Sequence, residues 1–217
     1  MFNLELLKRF ELEDFIGNDN KRFYQTPIGR LPSVTNILDG LKDKSGLVHW
    51  RKRIGNAKAD EIILQSRNKG NEIHSLAQNY LLNNPEWSKD ASTINIRTFN
   101  QIKRILDENV KTVYGAELPL WSASLKTAGR TDAVVKWEDY NAVLDFKTSR
   151  RIVDIKSEKL RMYKLQTVVY ALMIEEQYKL NITHCSIIVV TNHEGAKIFT
   201  FSIEKYRDVA RQIFEKH

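Results

Sequence analysis

The chain has 217 residues, of which 42% are hydrophobic, so it can bury one sizeable core and is expected to form a single domain over residues 1–217. The formal net charge of +7 and the isoelectric point near 9.4 are compatible with a polyanionic partner, although many proteins of this size carry similar charge without binding nucleic acid. The single cysteine, Cys185, excludes disulfides within the chain and any four-cysteine zinc or iron-sulfur site. No apolar stretch reaches about 18 residues, and the acidic N-terminal region does not suit a signal peptide, so we expect a cytoplasmic protein without membrane contact.

The first third of the sequence predicts an arm, a small hairpin and helices. Residues 1–17 fit either a short helix or an extended arm, and residues 22–31 predict a hairpin. Ser33 is placed to cap a helix whose apolar stripe follows it directly. The basic run with tryptophan at 50–53 is either a solvated helix face or a surface that follows a phosphate backbone.

The remaining elements follow from apolar periodicity. Residues 56–84 predict a helix interrupted near 68–70, in which His74 lies at the edge of the buried stripe, one turn after Gly70. By itself His74 is either a semi-buried structural histidine or a ligand. The later predicted elements are a helix at 94–110, a broken strand at 113–121, strands at 131–137 and 142–148, a helix at 158–179, strands at 185–191 and 197–203, and a helix at 204–214.

Each strand of the predicted hairpin, 131–137 and 142–148, contains an acid where a buried strand is normally apolar. The loop between the strands has an even number of residues. Odd-numbered residues of the second strand therefore lie opposite even-numbered residues of the first strand. Because side chains alternate across a strand, Asp132 and Asp145 are expected on one face, roughly 5 to 8 Å apart between their β-carbons. Two carboxylates at that distance repel each other unless a divalent cation lies between them.

Lys147 follows Asp145 by two residues and shares its face, which adds a cation to the two acids. Carboxylates suit a hard metal ion and an ammonium suits the charge on a phosphate, so the hairpin predicts a site for metal-assisted phosphodiester chemistry. The alternative is an exposed edge hairpin on which Asp145 and Lys147 form a surface ion pair of little energetic value. Glu117, in the preceding strand, is either a third acid of the site or an exposed strand end.

These features resemble those of the PD-(D/E)XK nucleases and, among them, the RecB-like exonucleases. The sequence is also similar to the group that contains the mitochondrial genome maintenance exonuclease and bacteriophage relatives, which share a G-x-x-x-H helix and an L-P-S-V-T segment like that at 31–35. Thr131 stands where the family signature has proline. The matching motifs are G-N-E-I-H at 70–74, E-L-P-L-W-S from Glu117, A-G-R-T-D ending at Asp132, L-D-F-K-T-S at 144–149 and Q-T-V-V-Y-A at 166–171.

The resemblance implies an α/β fold with a restriction-endonuclease-like (PD-(D/E)XK) core, which is a mixed central sheet flanked by helices, and an N-terminal helical extension. Residues 70–217 would form the catalytic core, and residues 1–69 an arm and a helical region that gates the substrate. The implied cofactor is Mg²⁺ or Mn²⁺, as one or two ions, with no iron-sulfur cluster. The implied metal ligands are His74, Asp132, Asp145 and the Phe146 carbonyl; the implied catalytic side chains are Asp132, Asp145, Lys147 and Glu117; the implied DNA-binding residues are Gln166, Tyr170, Ser149 and Arg130.

The sequence and the resemblance together predict a Mg²⁺- or Mn²⁺-dependent DNA exonuclease that prefers single-stranded DNA and acts in replication, repair or recombination. Two alternatives are open at this point: an exonuclease of duplex ends, and a non-catalytic DNA-binding module on the same fold. A monomer in the cytoplasm of a bacterial or phage-infected cell is the expected state.

Overall fold

The computed structural model describes residues 1–17 and 21–216. The N-terminal arm is extended: β1 (Asn3–Leu4) pairs in parallel with the central sheet, and β2 (Glu13–Ile16) joins β3 (Arg22–Thr26) and β4 (Gly29–Pro32) in a small antiparallel sheet. The predicted hairpin is confirmed. The arm adds β2 to this hairpin as a third strand. The helical alternative for residues 1–17 is therefore wrong.

Four helices follow this small sheet. They are α1 (Val34–Gly40), α2 (Ser45–Ile54), α3 (Asn56–Leu81) and α4 (Thr93–Asn109), and α1 is capped as predicted because Ser33 Oγ accepts the Asn36 amide at 3.1 Å. The predicted interruption of α3 near 68–70 is wrong. One glycine inside a helix costs only about 1 kcal/mol, and the buried residues Ile73, Leu76 and Leu81 hold the second half of α3 in place.

The central sheet has six strands in the order β1-β5-β6-β7-β8-β9. The strands β5 (Val110–Ser122), β6 (Thr127–Trp137) and β7 (Tyr140–Thr148) form an antiparallel meander, and α5 (Glu158–Tyr178) then crosses over to β8 (His184–Val190), which runs parallel to β7. The antiparallel β9 (Ala196–Ser202) and α6 (Glu204–Phe214) complete the chain.

Helices cover both faces of this sheet. On one face α1, α5 and α6 bury a cluster that includes Val134 and Val143, and on the other α3 and α4 bury a cluster that includes Leu144 and Phe146. The alternation within β7 therefore sends successive side chains to opposite layers. The predicted mixed α/β sheet flanked by helices is confirmed.

Two details of the sheet differ from the sequence prediction. The region 113–121 is part of one continuous strand, β5, whose register shifts near Val110 and Val113 account for the apparent break. The β6–β7 loop is only Glu138 and Asp139, shorter than predicted, and Glu138 adopts φ +50°, as tight hairpins require. No helix in the described ranges is long and apolar enough to cross a membrane.

Candidate metal centre

The register of β6 and β7 brings the two predicted acids together. Ala133 pairs with Leu144, so the next positions toward the open end of the hairpin are Asp132 and Asp145, on opposite strands. Beyond that pair the ladder is replaced by a side-chain contact, in which Asp132 Oδ2 accepts the Phe146 amide at 2.7 Å. The two strands thus separate where the acids lie, which leaves room between them.

His74, Glu117 and Asp132 form a cluster that we call the candidate metal centre. His74 Nδ1 lies 3.3 Å from Asp132 Oδ1 and 3.5 Å from Glu117 Oε1, and the potential ligand atoms of all three residues lie within 4.8 Å of one another. The histidine comes from α3, the glutamate from β5 and the aspartate from β6. Three elements that are distant in sequence therefore supply one site.

The backbone of Glu117 is strained. Its φ of +47° lies in the left-handed region that non-glycine residues seldom adopt, and such strain costs of order 1–3 kcal/mol. The neighbouring pairs Ala116–Ala133 and Leu118–Thr131 continue the ladder on both sides, so the strain is confined to the position facing Asp132. In this conformation the Glu117 carboxylate contacts His74, and its side chain is half-buried.

Asp145 lies beside the cluster and is held differently. Its Oδ1 accepts Lys147 Nζ at 2.7 Å, whereas its Oδ2 is buried and has no hydrogen-bond partner among the described residues. Burial, together with the charge on Asp132, raises the pKa of Asp145 to about 6 even though the Lys147 ammonium lowers it. One buried carboxylate oxygen beside the cluster is therefore unpaired among the described residues.

The other titratable groups respond to these charges. Burial alone lowers the pKa of His74, but the charge on Asp132 and the contacts with Asp132 and Glu117 raise it to about 10. Burial raises the pKa of Asp132, but His74 and Lys147 lower it below its ordinary value. Burial lowers the pKa of Lys147, and the two aspartates more than offset that effect. The positive charges of His74 and Lys147 thus offset the negative charges of the neighbouring carboxylates.

The donor set fits a divalent cation. Two carboxylates and one imidazole form the cluster, and the Asp145 carboxylate lies beside it. The Phe146 carbonyl is expected to face β6, because the N–H of a strand residue and its C=O point to the same neighbour and the Phe146 N–H bonds Asp132. Oxygen ligands suit Mg²⁺ and Mn²⁺, and the imidazole nitrogen favours Mn²⁺ over Mg²⁺. The partnerless Asp145 Oδ2 is the observation that a bound cation would account for.

A cavity of about 630 Å³ opens onto the candidate metal centre. Arg130, Gln166 and Tyr170, three of the four predicted DNA-binding residues, line it. Gln166 Oε1 accepts Lys147 Nζ at 3.4 Å, and a β-carbon at Gly129 would lie 2.8 Å from the Tyr170 ring, so the glycine lets Tyr170 approach β6. The fourth, Ser149, lines a separate neighbouring cavity.

Sequence reasoning missed a polar stripe on α3 and part of the opposite wall. Arg67, Asn71 and Gln78 line the cavity together with His74, at the three- and four-residue spacing of one helix face. That spacing was visible in the sequence but was hidden by the predicted interruption at 68–70. Arg22 and Tyr24 of the small sheet also line the cavity, and no local signal marked them.

No protein-family model matches the chain, and no curated protein matches it. Among solved structures, a protein named "Putative exonuclease" from Eubacterium rectale is 14% identical, with a TM-score of 0.46 over 67% of this chain and 63% of that one. The structure of SSO0001 is 12% identical, with a TM-score of 0.37 over 78% of this chain and 67% of that one. The chain thus spans less than two thirds of the first of these proteins. Both TM-scores are low, so the function is inferred from the geometry of the site.

Proposed function

We propose that the protein is a metal-dependent deoxyribonuclease that hydrolyses phosphodiester bonds, and that it is a RecB-like PD-(D/E)XK exonuclease. The observation that carries this proposal is the cluster of His74, Glu117 and Asp132 beside the Asp145–Lys147 pair, at one end of a cavity. A protein that only bound DNA would gain nothing from gathering several mutually repelling carboxylates around one partnerless oxygen.

The residues divide into those that hold the cation and those that act on the phosphate. His74, Glu117 and Asp132 would hold Mg²⁺ or Mn²⁺, with Asp145 and the Phe146 carbonyl as further donors. When bound, the ion supplies a Lewis acid for the phosphate oxygens and lowers the pKa of a bound water. Lys147 is fixed by Asp145 at 2.7 Å and by Gln166 at 3.4 Å, so its ammonium is already in position to stabilise charge that develops on the phosphate.

The walls of the cavity favour a polyanionic substrate. Arg67 and Arg130 line it and have no carboxylate within salt-bridge distance among the described residues, whereas Arg22 is 3.5 Å from Asp14. The helix α2 has no fully buried residue and ends with the basic residues 51–53 in its last turn. We propose that residues 1–69 gate the cleft and residues 70–217 form the catalytic core. A narrow gate would favour single-stranded DNA and attack from an end.

The test uses end-labelled single-stranded and duplex oligonucleotides with Mg²⁺, Mn²⁺ or EDTA. The wild-type protein should shorten the single strand progressively in either metal, and EDTA should abolish cleavage. Asp132→Asn should be inactive because the cluster loses a charged ligand. The control Asp139→Asn removes an exposed acid from the same hairpin and should cleave like the wild type.

Each other outcome selects a different function. Faster degradation of duplex ends than of single strands would make the protein a duplex-end exonuclease. Binding of either DNA without metal-dependent cleavage would leave a non-catalytic binding module and would overturn the nuclease proposal. Sedimentation of the same samples would test the proposed monomer.

A further inference from the structure

A second cavity, of about 470 Å³, lies beside the first. We call it the β7–β8 cavity, because it lies where these parallel strands end and α3 covers them. The carboxyl ends of parallel strands are where ligands commonly bind in α/β folds. Its lining comes from α3, from the last residue of β7 and the two that follow it, and from the β8–β9 turn: Ile62, Gln65, Ser66, Lys69, Thr148, Ser149, Arg150, Asn192 and His193.

The lining is cationic and hydroxyl-rich, and it contains no carboxylate. Lys69 and Arg150 have no acidic partner within salt-bridge distance among the residues that the structure describes. Glu194, next to His193, instead accepts the Ile152 amide at 2.6 Å. Among the described residues, the two cationic side chains of this cavity therefore have no direct ion-pair partner.

Lys69 is held in place while keeping free donors. Its ammonium donates to Asn192 Oδ1, which also accepts Thr98 Oγ1 at 3.2 Å. An ammonium has three donors, so this contact orients Lys69 and leaves capacity for a ligand. Burial lowers the pKa of Lys69, which is consistent with an ammonium that lacks an anionic partner among the described residues.

The β7–β8 cavity adjoins the candidate metal centre through β7 and α5. Thr148 and Ser149 directly follow Lys147 along the chain. The Tyr163 ring lies 5.0 Å from Lys147 Nζ and 5.9 Å from Lys159 Nζ, and Lys159 Nζ donates to Ser149 Oγ at 3.4 Å. Cationic groups thus continue from Lys147 to the β7–β8 cavity.

We propose that the β7–β8 cavity binds a phosphate group of the same nucleic-acid strand whose scissile phosphate lies at the candidate metal centre. This inference rests on the proposed function and adds a second anchor to it, with Lys69 and Arg150 as the phosphate-binding side chains. An anchor of this kind fixes the strand relative to the reacting bond. The phosphate is either an internal diester or a terminal monoester, which share the chemistry of the cavity.

Binding without catalysis tests the proposal directly. Fluorescence anisotropy in EDTA would measure the dissociation constants of single-stranded oligonucleotides with 5′-phosphate, 3′-phosphate or hydroxyl ends, at several salt concentrations. The variants are Lys69→Gln and Arg150→Gln. The matched control is Lys111→Gln, which removes the same charge as Lys69→Gln from an exposed position on β5, at the opposite end of the sheet.

Loss of one charged hydrogen-bonding partner should weaken binding roughly tenfold and lower the slope of log affinity against log salt by about 0.7. A loss confined to one phosphorylated end would identify a terminal phosphate, and a uniform loss an internal one. Arg150 is exposed, so Arg150→Gln separates lost binding from misfolding. If both variants bind every oligonucleotide like Lys111→Gln, the proposal is overturned.

The result is independent of the nuclease assay. Wild-type-like binding by both variants, with intact metal-dependent cleavage, would overturn the subsite and leave the proposed function standing. Weakened binding in a protein that never cleaves would support the subsite and overturn the nuclease.

Discussion

Asp145 and Glu176 are two acids of the same fold that are treated in opposite ways. Glu176 of α5 accepts four hydrogen bonds from the β5–β6 turn, including Ser122 Oγ at 2.5 Å, Ser124 Oγ at 2.7 Å and the Ala123 amide at 2.8 Å. Burial raises its pKa, but these donors lower it below the ordinary value. Asp145 accepts one hydrogen bond, and burial raises its pKa to about 6.

Under the proposed function, the difference separates an acid that holds the fold together from one that is kept for a metal ion. A buried acceptor without a partner costs about 1–3 kcal/mol. The protein avoids that cost at Glu176 by supplying hydroxyl and amide donors, and it accepts the cost at Asp145. Glu117 carries a similar energetic cost at the candidate metal centre, because its backbone adopts a positive φ there.

The largest expected effect is on catalysis. Asp145→Asn should lower the rate of cleavage by about 10³-fold or more, because it removes a charged donor to the cation and weakens the hold on Lys147. Glu176→Gln, which alters the acid of α5 that holds the β5–β6 turn, should stay within about threefold of the wild type. Single-turnover cleavage of a labelled strand in Mn²⁺ measures both.

Circular dichroism must show that both variants are folded. Equal losses of activity in the two variants would contradict the distinction between Asp145 and Glu176, since Asp145 would then have only a structural role.

The next effect is on metal-dependent stability. Mn²⁺ at a hundredfold excess over its dissociation constant should stabilise the wild type by about 2.7 kcal/mol, which raises the melting temperature by roughly 5–10 °C. Glu176→Gln should show the same increase, since its turn lies outside the cluster. His74→Gln should show little or none because the cluster loses its nitrogen ligand.

Calorimetry with Ca²⁺ and Mn²⁺ in parallel controls for nonspecific screening of the carboxylates. A full Mn²⁺ shift in His74→Gln would place the ion away from the candidate metal centre.

The local sequence pattern was enough to predict the part of the site that lies on the β6–β7 hairpin. Alternation and loop length sufficed to place Asp132, Asp145 and Lys147 together, because register in a tight hairpin is set by neighbouring residues. The crossover helix α5 was equally clear, since its run of apolar residues is a local feature.

The remaining parts depend on contacts between distant segments. The arm residues pair with β5 and β3 through backbone hydrogen bonds, which leave no side-chain pattern in the sequence. The role of Glu117 was left open because its distance from His74 depends on how α3 packs over the sheet. Ser149 lies only two residues from Lys147, yet it lines the β7–β8 cavity, since the chain leaves the sheet between them.

The smallest expected effect is on the pH dependence of stability, at the structural acid. Glu176→Gln should lower the free energy of unfolding at neutral pH by about 1 kcal/mol, a modest value because Glu176 is partly exposed. The folded pKa is below the unfolded one, so this stabilisation is fully present above the ordinary value of 4.5 and is lost as the pH falls through the lowered pKa. Urea unfolding at pH 7, 5, 4 and 3 should show the two proteins converging in acid. Glu108→Gln, at an exposed helix position, should match the wild type throughout, whereas a Glu176→Gln difference that persisted at pH 3 would mean that packing, and not the carboxylate charge, holds the turn.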